Sequence, residues 1–484
     1  MNAAASPWLT LDQVLRVTEG RLAYPPEGTA APPQSGFLAC AIDSRALEGG
    51  ELFVPLPGTR ADGHDFVSAA LEGKAAGSLV GQSRPREAAW ARLGKPVIAV
   101  SDPLRALQAL GRHCRARAGI PATAITGSNG KTTTKEMIAA VLGTRFRVHK
   151  NRGNLNNHIG VPLTLTHLRA EHQMLVIELG MSARGEIREL AVLCQPNVGV
   201  LTNAAPAHLA SLRTVEEVAR AKSELAEALP RDGLLVLNAD DELLWSMNRS
   251  RHGSKRSFSL DNAEADLRPT GVSLTSQGGS RFSLADGTEI DLRLLGRHNV
   301  RNALAAVLVG DHFGVPRGRA AEALGSLRSQ RHRLELLEHR GVAVIDDAYN
   351  ANPASMREAL LLLSAIETAG ERRAVLGDML ELGAESGRYH EEVGRQVPKG
   401  SWLYVAGEFA EATARGARAA GLPPERIRRF KGVPEMTAAV KAEARSGDLV
   451  LVKGSRGMRL EQVVEALVPG QPGALDPVHA TGGN

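Results

Sequence analysis

The sequence predicts an α/β fold of three domains: a small N-terminal α/β domain, a central domain built on a doubly wound, mostly parallel sheet, and a further α/β domain at the C-terminus. The chain has 484 residues, which corresponds to about three domains at roughly 100–200 residues each. Short apolar strands alternate with helices through most of it, which is typical of parallel sheets covered on both faces. We place the domains at residues 1–118, 119–333 and 334–470, followed by a tail at 471–484.

The composition is that of a globular protein, with 43% hydrophobic and 23% charged residues. A formal net charge of +5 and an aromatic content of 4% do not favour a nucleic-acid partner. Cys40, Cys114 and Cys194 are far apart in sequence, which argues against a disulfide framework and fits a reducing cytoplasm. No apolar run approaches the about 20 residues that cross a bilayer, and the N-terminus lacks a signal-peptide pattern. We therefore expect a cytoplasmic protein with no membrane partner.

Eight apolar runs, each ending at or just before a polar residue or glycine, are predicted to be strands. The four central ones are Ala122–Thr126, Met174–Leu179, Gly199–Asn203 and Leu234–Asn238. The four C-terminal ones, in a Rossmann-like arrangement, are Val342–Ile345, Ala374–Leu376, Leu403–Val405 and Leu449–Val452. Ligands of such sheets bind outside the carboxyl ends of the strands. The two sheets therefore predict two polar rims and, between them, a cleft suited to two substrates.

A phosphate loop follows the first central strand and opens a helix, over Gly127-Ser-Asn-Gly-Lys-Thr-Thr133. Its glycines allow backbone N–H groups to turn toward phosphate oxygens, and the helix N-terminus adds the positive end of its dipole. Lys131 would reach the terminal phosphates and the Thr132 hydroxyl would bind Mg²⁺. Ile125 stands where the longer form of this motif has its first glycine. The alternative is a glycine-rich turn with a chance lysine, but the strand–loop–helix context favours a P-loop.

Two further side chains are candidates from position. Glu178 ends an apolar strand beside the phosphate loop, where a carboxylate can hold Mg²⁺, although it could also be a strand-end acid in solvent. His208 follows the strand that ends at Asn203, and a lone loop histidine is more often a surface or packing residue.

Lys222 interrupts the apolar stripe of a helix predicted over 214–229, which begins with a capping box at Thr214 and Glu217. The other members of the stripe are Val215, Val218, Leu225 and Leu229. A lysine in that position is partly desolvated, so its pKa falls and the neutral amine is favoured. A neutral amine can react with carbon dioxide to give an anionic carbamate that could ligate Mg²⁺. The alternative, which the spacing alone favours, is a lysine whose stem packs while its head reaches water.

The chain resembles the Mur ligases, the ATP-dependent amide-forming enzymes of peptidoglycan synthesis, in a series of ordered blocks. The blocks are Ile42–Arg45, Asp62–Phe66, Gly127–Thr133, Asn154–Pro162, Glu178–Met181, Ala207–Leu209, Ala221–Glu224, Gly296–Ala303, Asp346–Pro353, Gly377–Gly383 and Lys453–Arg456. The last three resemble the branch of the family that adds D-alanyl-D-alanine. The Asp-Asn-Pro-Arg motif of the neighbouring branch does not occur in the sequence.

The resemblance implies an ADP-forming ligase that uses ATP and Mg²⁺ to join UDP-N-acetylmuramoyl-tripeptide to D-alanyl-D-alanine through an acyl phosphate, and we expect it to act as a monomer. It implies catalytic roles for Lys131, His208 and Lys222, and it favours the carbamate of Lys222 over the packed-stem alternative. The implied ATP contacts are Gly127, Ser128, Asn129, Gly130, Lys131, Thr132, Thr133, Asn299, Asn302, Arg333, Asp346 and Asn350. The implied Mg²⁺ environment is Thr132, Glu178, His208 and carbamylated Lys222. The implied substrate contacts are Ser44 and Arg45 for UDP, and Lys453, Ser455 and Arg456 near the dipeptide.

The chain departs from the family pattern in two places. His332 stands before Arg333 where a glycine is expected, which predicts a stiffer hinge within residues 325–336. Leu209-Ala-Ser-Leu follows His208 where the family often has an acidic residue.

Two other functions compete with the ligase. A folate polyglutamate ligase shares a related middle domain but not the region around Asp43–Arg45. A non-enzymatic nucleotide switch would leave Glu178, Lys222 and the whole C-terminal segment without a role.

Overall fold

The computed structural model describes residues 7–24, 36–58, 61–84, 88–251 and 253–470, so the predicted tail at 471–484 lies outside the described residues. Three α/β units follow one another along the chain, which confirms the predicted fold class. The domain limits given above stay a prediction. None of the helices within the described ranges is long and apolar enough to cross a membrane.

The N-terminal unit is a five-stranded sheet with the order β2-β7-β6-β5-β4, in which only the edge strand β2 is antiparallel to its neighbour. Its strands are β1 (Leu9–Thr10), β2 (Arg21–Tyr24), β3 (Gly36–Phe37), β4 (Cys40–Ala41), β5 (Leu52–Phe53), β6 (Gly77–Gly81) and β7 (Val97–Val100), with β1 and β3 forming a separate antiparallel pair. Its helices are α1 (Leu11–Thr18), α2 (Val67–Glu72), α3 (Ala88–Ala91) and α4 (Pro103–Ala118). Helix α4 is capped by the Asp102 side chain and ends at Gly119, whose φ of 61° suits a residue without a Cβ.

The central unit is a six-stranded, fully parallel sheet with the order β13-β12-β11-β8-β10-β9. Its strands are β8 (Ala122–Thr126), β9 (Val148–Lys150), β10 (Met174–Glu178), β11 (Val198–Leu201), β12 (Leu234–Asn238) and β13 (Lys255–Phe258). The helices between them are α5 (Lys131–Gly143), α6 (Gly160–Thr166), α7 (Glu186–Cys194), α8 (Leu209–Leu212), α9 (Val215–Ala228) and α10 (Glu242–Asn248). Because β8 lies between β10 and β11, the loops that follow these three strands converge at one edge of the sheet.

A three-stranded antiparallel sheet follows, with β14 (Pro269–Leu274), β15 (Ser280–Leu284) and β16 (Glu289–Leu292), and then helices α11 (His298–His312) and α12 (Arg317–Ser326). The sequence analysis did not predict this sheet. Phe282 and Leu284 alternate with exposed or half-exposed positions, so only one face is buried and no continuous apolar run marks the strands.

The C-terminal unit is a six-stranded sheet with the order β17-β18-β22-β19-β20-β21, in which only β17 is antiparallel to its neighbour. Its strands are β17 (Glu335–His339), β18 (Val342–Asp347), β19 (Arg372–Leu376), β20 (Trp402–Ala406), β21 (Ile427–Phe430) and β22 (Leu449–Lys453). Its helices are α13 (Pro353–Ala365), α14 (Ser386–Gly394), α15 (Ala410–Ala419), α16 (Val433–Glu443) and α17 (Glu461–Leu467). All eight predicted strands are present, with limits within two residues of those expected.

The junction between the central and C-terminal units contains two residues in the left-handed region, His332 with a φ of 61° and Leu334 with a φ of 52°. A glycine adopts that conformation without steric cost, which explains why one is expected at position 332. The His332 Nδ1 lies 2.7 Å from the Asp346 Oδ2, and this contact holds the strained residue in place. The stiffness of the hinge stays a prediction.

We expect Gly111→Ala to destabilise the protein, because a Cβ at Gly111 of α4 would lie 2.8 Å from the Cα of Pro162 in α6. Overpacking of this kind costs about 1–3 kcal/mol. The matched control is Gly318→Ala in α12, where a Cβ would meet nothing within 4 Å. Scanning calorimetry should show a lower melting temperature for the first variant and an unchanged or slightly higher one for the second. Equal melting temperatures would contradict the close approach of α4 and α6.

Candidate functional site

A cleft of about 1520 Å³ lies between the carboxyl ends of the central strands and the rim of the C-terminal sheet, with Pro57 and Gly58 reaching it from the N-terminal unit. This is the cleft that the two polar rims predict. Most of the predicted site residues line it. They are Ser128, Asn129, Gly130, Lys131, Thr132, Thr133, Glu178, His208, Lys222, Asn299, Asn302, Arg333, Asn350 and Lys453.

The phosphate loop is anchored from β11. The backbone N–H of Asn129 donates to the Asn203 Oδ1 over 2.8 Å, and the Thr202 hydroxyl donates to the Asn129 carbonyl over 2.7 Å. A Cβ at Gly127 would lie 1.8 Å from the Thr202 hydroxyl oxygen, so no larger residue fits there. Gly130, with a φ of 79°, turns the chain into α5. The loop is therefore held rigid from behind while its front faces the cleft.

Lys131 is the first residue of α5 and bends back over the loop. Its Nζ donates to the Gly127 carbonyl over 2.8 Å and to the Ser128 carbonyl over 3.2 Å. Burial lowers the pKa of Lys131, an effect that the Glu178 carboxylate opposes and the Arg333 guanidinium strengthens. This amine is placed where it can contact phosphate oxygens that enter the loop.

Glu178 ends β10 with one carboxylate oxygen satisfied and the other not. Its Oε1 accepts a hydrogen bond from the Asn156 side chain over 2.7 Å, and its backbone is held on both sides by Asn151. Its Oε2 is buried and has no hydrogen-bond partner among the described residues. A buried carboxylate oxygen without a partner is costly, and it is the kind of ligand that a hard divalent cation prefers. Sequence reasoning did not single out Asn156, although it lies within the quoted Asn154–Pro162 block.

Lys222 lies on the buried stripe of α9, as predicted, and its side chain is 1% exposed. This burial rules out the alternative in which its head reaches water. Lys222 is also one of the residues that line the cleft. Burial lowers the pKa of Lys222 well below its usual value, the Lys131 charge lowers it further, and Asp241 opposes the shift. The amine is therefore held beside the phosphate loop in a setting that favours its neutral form.

His208 joins the central unit to the C-terminal one. It has a left-handed φ of 58°, and its Nδ1 lies 2.7 Å from the Glu381 Oε2. The Ala210 N–H also donates to the Glu381 carbonyl, over 3.1 Å. An acid from the C-terminal unit thus meets the segment that lacks the family's acidic residue. Both His208 and Glu381 line the cleft. Glu381, which sequence reasoning missed, lies in the quoted Gly377–Gly383 block.

No group of three or more His, Cys, Asp or Glu side chains that could hold a metal ion occurs within the described ranges. The predicted Mg²⁺ set differs from such a group, because two of its four members are a threonine hydroxyl and a modified lysine. Among the described residues that line the cleft, Glu178 has a buried carboxylate oxygen, Oε2, without a hydrogen-bond partner, and this oxygen fits a cation.

Helix α11 lies against the phosphate loop and forms another wall of the cleft. The Asn302 side chain donates to the Asn299 Oδ1 over 2.8 Å, and Asn299 donates to the Leu295 carbonyl over 2.7 Å. Across the cleft the Arg333 guanidinium lies 3.8 Å from the centre of the Tyr349 ring, and that of Arg456 lies 5.6 Å from it. Tyr349 was not predicted to be a site residue, although it lies in the Asp346–Pro353 block.

The C-terminal candidates organise one loop. The buried amine of Lys453 pairs with Asp347 and donates to the Asn350 carbonyl over 2.9 Å. The Ser455 hydroxyl, also buried, donates to the carbonyl of Ala351, the next residue after Asn350, over 3.4 Å and accepts from the Leu380 N–H over 2.9 Å. Burial raises the pKa of Asp347, and Lys453 opposes this. These contacts fix the backbone that carries Asn350 at the edge of the cleft.

The remaining predicted residues do not line the cleft. They are Ser44, Arg45, Gly127, Asp346, Ser455 and Arg456. Gly127 supports the phosphate loop from behind, and Asp346 holds His332. Arg45 is 70% exposed and pairs with Asp43 at the start of a short 3₁₀ turn, Ser44–Ala46.

Comparison with known proteins gives matches along nearly the whole chain. Three family models match: the Mur ligase family catalytic domain at residues 39–115, the Mur ligase middle domain at 125–310 and the Mur ligase, glutamate ligase domain at 332–456. The UDP-N-acetylmuramoyl-tripeptide--D-alanyl-D-alanine ligase of Bacillus subtilis (strain 168) is 38% identical over 94% of this chain and 99% of its own length.

Solved structures agree. A crystal structure of MurF from Acinetobacter baumannii matches with a TM-score of 0.81 and 30% identity, over 95% of this chain and 98% of that one. MurF ligase from Thermotoga maritima, in complex with ADP, matches with a TM-score of 0.76 and 26% identity, over 89% of this chain and 96% of that one. From these matches, this chain belongs to the Mur ligase family.

Proposed function

We propose that this chain is an ATP-dependent, ADP-forming ligase that joins D-alanyl-D-alanine to the terminal carboxylate of UDP-N-acetylmuramoyl-tripeptide, in the cytoplasmic synthesis of peptidoglycan precursors. The observation that carries the proposal is the convergence of Lys131, Glu178 and Lys222 at one sheet edge that faces a second rim. Near-full-length similarity to ligases that bear this substrate name supports the choice of substrates. Neither a folate ligase nor a nucleotide switch accounts for both the converging side chains and the near-full-length similarity.

The chemistry follows from the weakness of a carboxylate as an acyl donor. Transfer of the terminal phosphate of ATP to the carboxylate gives an acyl phosphate and ADP; the dipeptide amine then attacks the acyl carbon, and phosphate leaves with the C–O bond electrons. The first step brings two anions together, so cations must line the site. Lys131 supplies one of them, and the loop N–H groups add their dipoles. Closure of the C-terminal unit keeps water from the acyl phosphate.

Bound magnesium would supply positive charge that neutralises the negative charge developing on the phosphate oxygens. The Oε2 of Glu178 and the Thr132 hydroxyl would hold it, with His208 and a carbamate on Lys222 completing the set. In the carbamate, the neutral amine of Lys222 forms an N–C bond to carbon dioxide and releases one proton to solvent. The lowered pKa of Lys222 and its place in the lining of the cleft support this modification.

The two organic substrates enter from opposite units. Ser44 and Arg45 bind the UDP part, which would extend from the N-terminal unit past Pro57 and Gly58 into the cleft. Lys453, Ser455 and Arg456 hold the loop against which the dipeptide binds. Asn299, Asn302, Arg333, Asp346 and Asn350 surround or support the nucleotide.

The cytoplasmic location and the monomeric state remain part of the proposal. Burial raises the pKa of the Cys114 and Cys194 thiols to about 12, and the Cys40 thiol is shifted in the same direction. All three cysteines are free. Inert, unpaired thiols are typical of a reducing compartment.

The proposal is tested with purified protein, ATP and Mg²⁺. Amide formation and ADP release should appear together only when both UDP-N-acetylmuramoyl-tripeptide and D-alanyl-D-alanine are present. Glutamate offered in place of the dipeptide should give no product. Amide formation without ATP consumption, or activity with folate and glutamate, would overturn the proposed function.

We expect Glu178→Gln to raise the Mg²⁺ concentration at half-maximal rate by about 10-fold or more, because one carboxylate ligand is lost while the shape is kept. The Asn156 contact to Oε1 can be preserved by the amide oxygen. Titration of the initial rate with Mg²⁺ at saturating ATP measures the change. An unchanged Mg²⁺ requirement would remove Glu178 from the metal environment.

We expect Lys222→Ala to lower kcat by about 100-fold or more, a loss of the size seen when one group that stabilises the charge of a transition state is removed. Short carboxylic acids added to the variant should restore part of the activity, since they can occupy the volume of the carbamate. Full activity of the parent enzyme in bicarbonate-free buffer would count against the modification.

A stability measurement isolates the amine itself. The folded pKa of Lys222 lies below the unfolded value of about 10.4, so between the two values the unfolded chain binds more protons and the stability of the parent rises with pH. Lys222→Met lacks this dependence. Denaturation in carbon-dioxide-free buffer should therefore show a stability advantage for the variant that shrinks as the pH rises toward 10. Parallel pH profiles would show that the amine is not buried in its neutral form.

A further inference from the structure

We infer that Asn352 is a positioning residue that locks the C-terminal unit onto the phosphate loop, through a reciprocal amide pair with Asn129. The inference rests on the proposed function and extends it to the coupling between nucleotide binding and ligation. Asn352 is the residue before α13 and was assigned no role by the sequence.

The pair consists of two hydrogen bonds in opposite directions. The Asn129 Nδ2 donates to the Asn352 Oδ1 over 3.1 Å, and the Asn352 Nδ2 donates to the Asn129 Oδ1 over 2.7 Å. Asn352 is 8% exposed, so water cannot readily replace its partner. Both bonds require the two amides to face each other, and a small relative shift of the two units breaks both. Among hydrogen bonds between described residues, this pair joins the phosphate loop directly to the C-terminal unit.

Each amide projects from a fixed backbone. The backbone of Asn129 is held on its N–H and carbonyl sides by Asn203 and Thr202, as described above. Asn352 caps α13, since its Oδ1 accepts from the Ser355 N–H over 2.9 Å while the Ser355 hydroxyl accepts from the Asn352 N–H over 3.0 Å. The Asn352 oxygen therefore serves the helix cap and the phosphate loop together. Because these hydrogen bonds link the phosphate loop directly to the first turn of α13, a movement of the loop also moves this turn.

The other polar bridges between the two units lie outside the loop. Arg301 of α11 donates to Glu358 of α13 over 3.2 Å, and His208 pairs with Glu381. These contacts hold the units together but do not touch the residues that wrap the phosphates. The 129–352 pair is therefore suited to making closure depend on the conformation of the loop itself.

The consequence concerns water. When the pair is lost, the closed arrangement is less populated, and water reaches the acyl phosphate before the amine does. Water then attacks the acyl carbon, which regenerates the carboxylate and releases phosphate. ATP is consumed without an amide bond being formed.

The experiment compares Asn352→Ser with Asn352→Ala. Serine keeps the cap of α13, because its hydroxyl can accept from the Ser355 N–H, but it is too short to reach Asn129. The loss of two neutral hydrogen bonds should reduce the closed population about 10-fold. We expect both variants to raise the KM for D-alanyl-D-alanine about 10-fold and to release about two or more ADP per amide formed, against about one in the parent. Affinity for ATP in the absence of the other substrates should stay within about twofold.

Two further variants keep the test decisive. Asn129→Ala should also show an excess of ADP over amide, and the Asn129→Ala, Asn352→Ser double variant should be no worse than Asn129→Ala alone, since both lack the same pair. Normal coupling in Asn352→Ser, with a defect only in Asn352→Ala, would reduce Asn352 to a helix cap and overturn the inference. Additive defects in the double variant would overturn it as well. A parent enzyme that forms no amide at all would instead reject the proposed function.

Discussion

The close approach of two backbone segments at the end of β8 is the constraint on which the rest of the site depends. The Thr202 hydroxyl leaves no room for a side chain at Gly127, so the loop lies directly against the end of β11. The Asn203 side chain and the Thr202 hydroxyl then take up the polar groups of Asn129. The loop can keep its N–H groups directed at an anion because its other side is already satisfied.

Electrostatics set the second condition. Lys131 and Lys222 are held close enough for the charge of one to lower the pKa of the other, and burial acts in the same direction on both. The carboxylate of Glu178, whose Oε2 has no hydrogen-bond partner among the described residues, offsets part of the positive charge beside it. Such an arrangement is poor for stability taken alone, since it buries groups that prefer water. It suits a site that receives a triphosphate and a divalent cation, because these ligands supply the missing charges.

The sequence predicted the parallel sheets and most of the cleft for a physical reason. Strands buried on both faces appear as continuous apolar runs, and their polar ends mark the rim, which is how Glu178 was found. The antiparallel β14–β16 sheet is buried on one face only, and the edge strand β9 has three residues, so neither leaves such a run. Lys222 was identified because it breaks a helical stripe, whereas Glu381 and Asn352 act across the domain interface. A local sequence pattern cannot predict a contact with a residue that is more than 150 positions away along the chain.

The position of Lys131 affects how a nucleotide would bind to the phosphate loop and leave it. Its ammonium already has two oxygen partners, the carbonyls of Gly127 and Ser128. Under the proposed function, nucleotide binding would therefore be a ligand exchange, in which phosphate oxygens replace the carbonyls of Gly127 and Ser128 around the amine. The gain in free energy would be smaller than for a lysine without such partners. The same internal carbonyls are ready to recapture the amine when the spent nucleotide departs. Competition from these carbonyls would weaken nucleotide binding and speed the release of the spent nucleotide. Rapid release suits an enzyme that must empty its nucleotide pocket after each bond it forms.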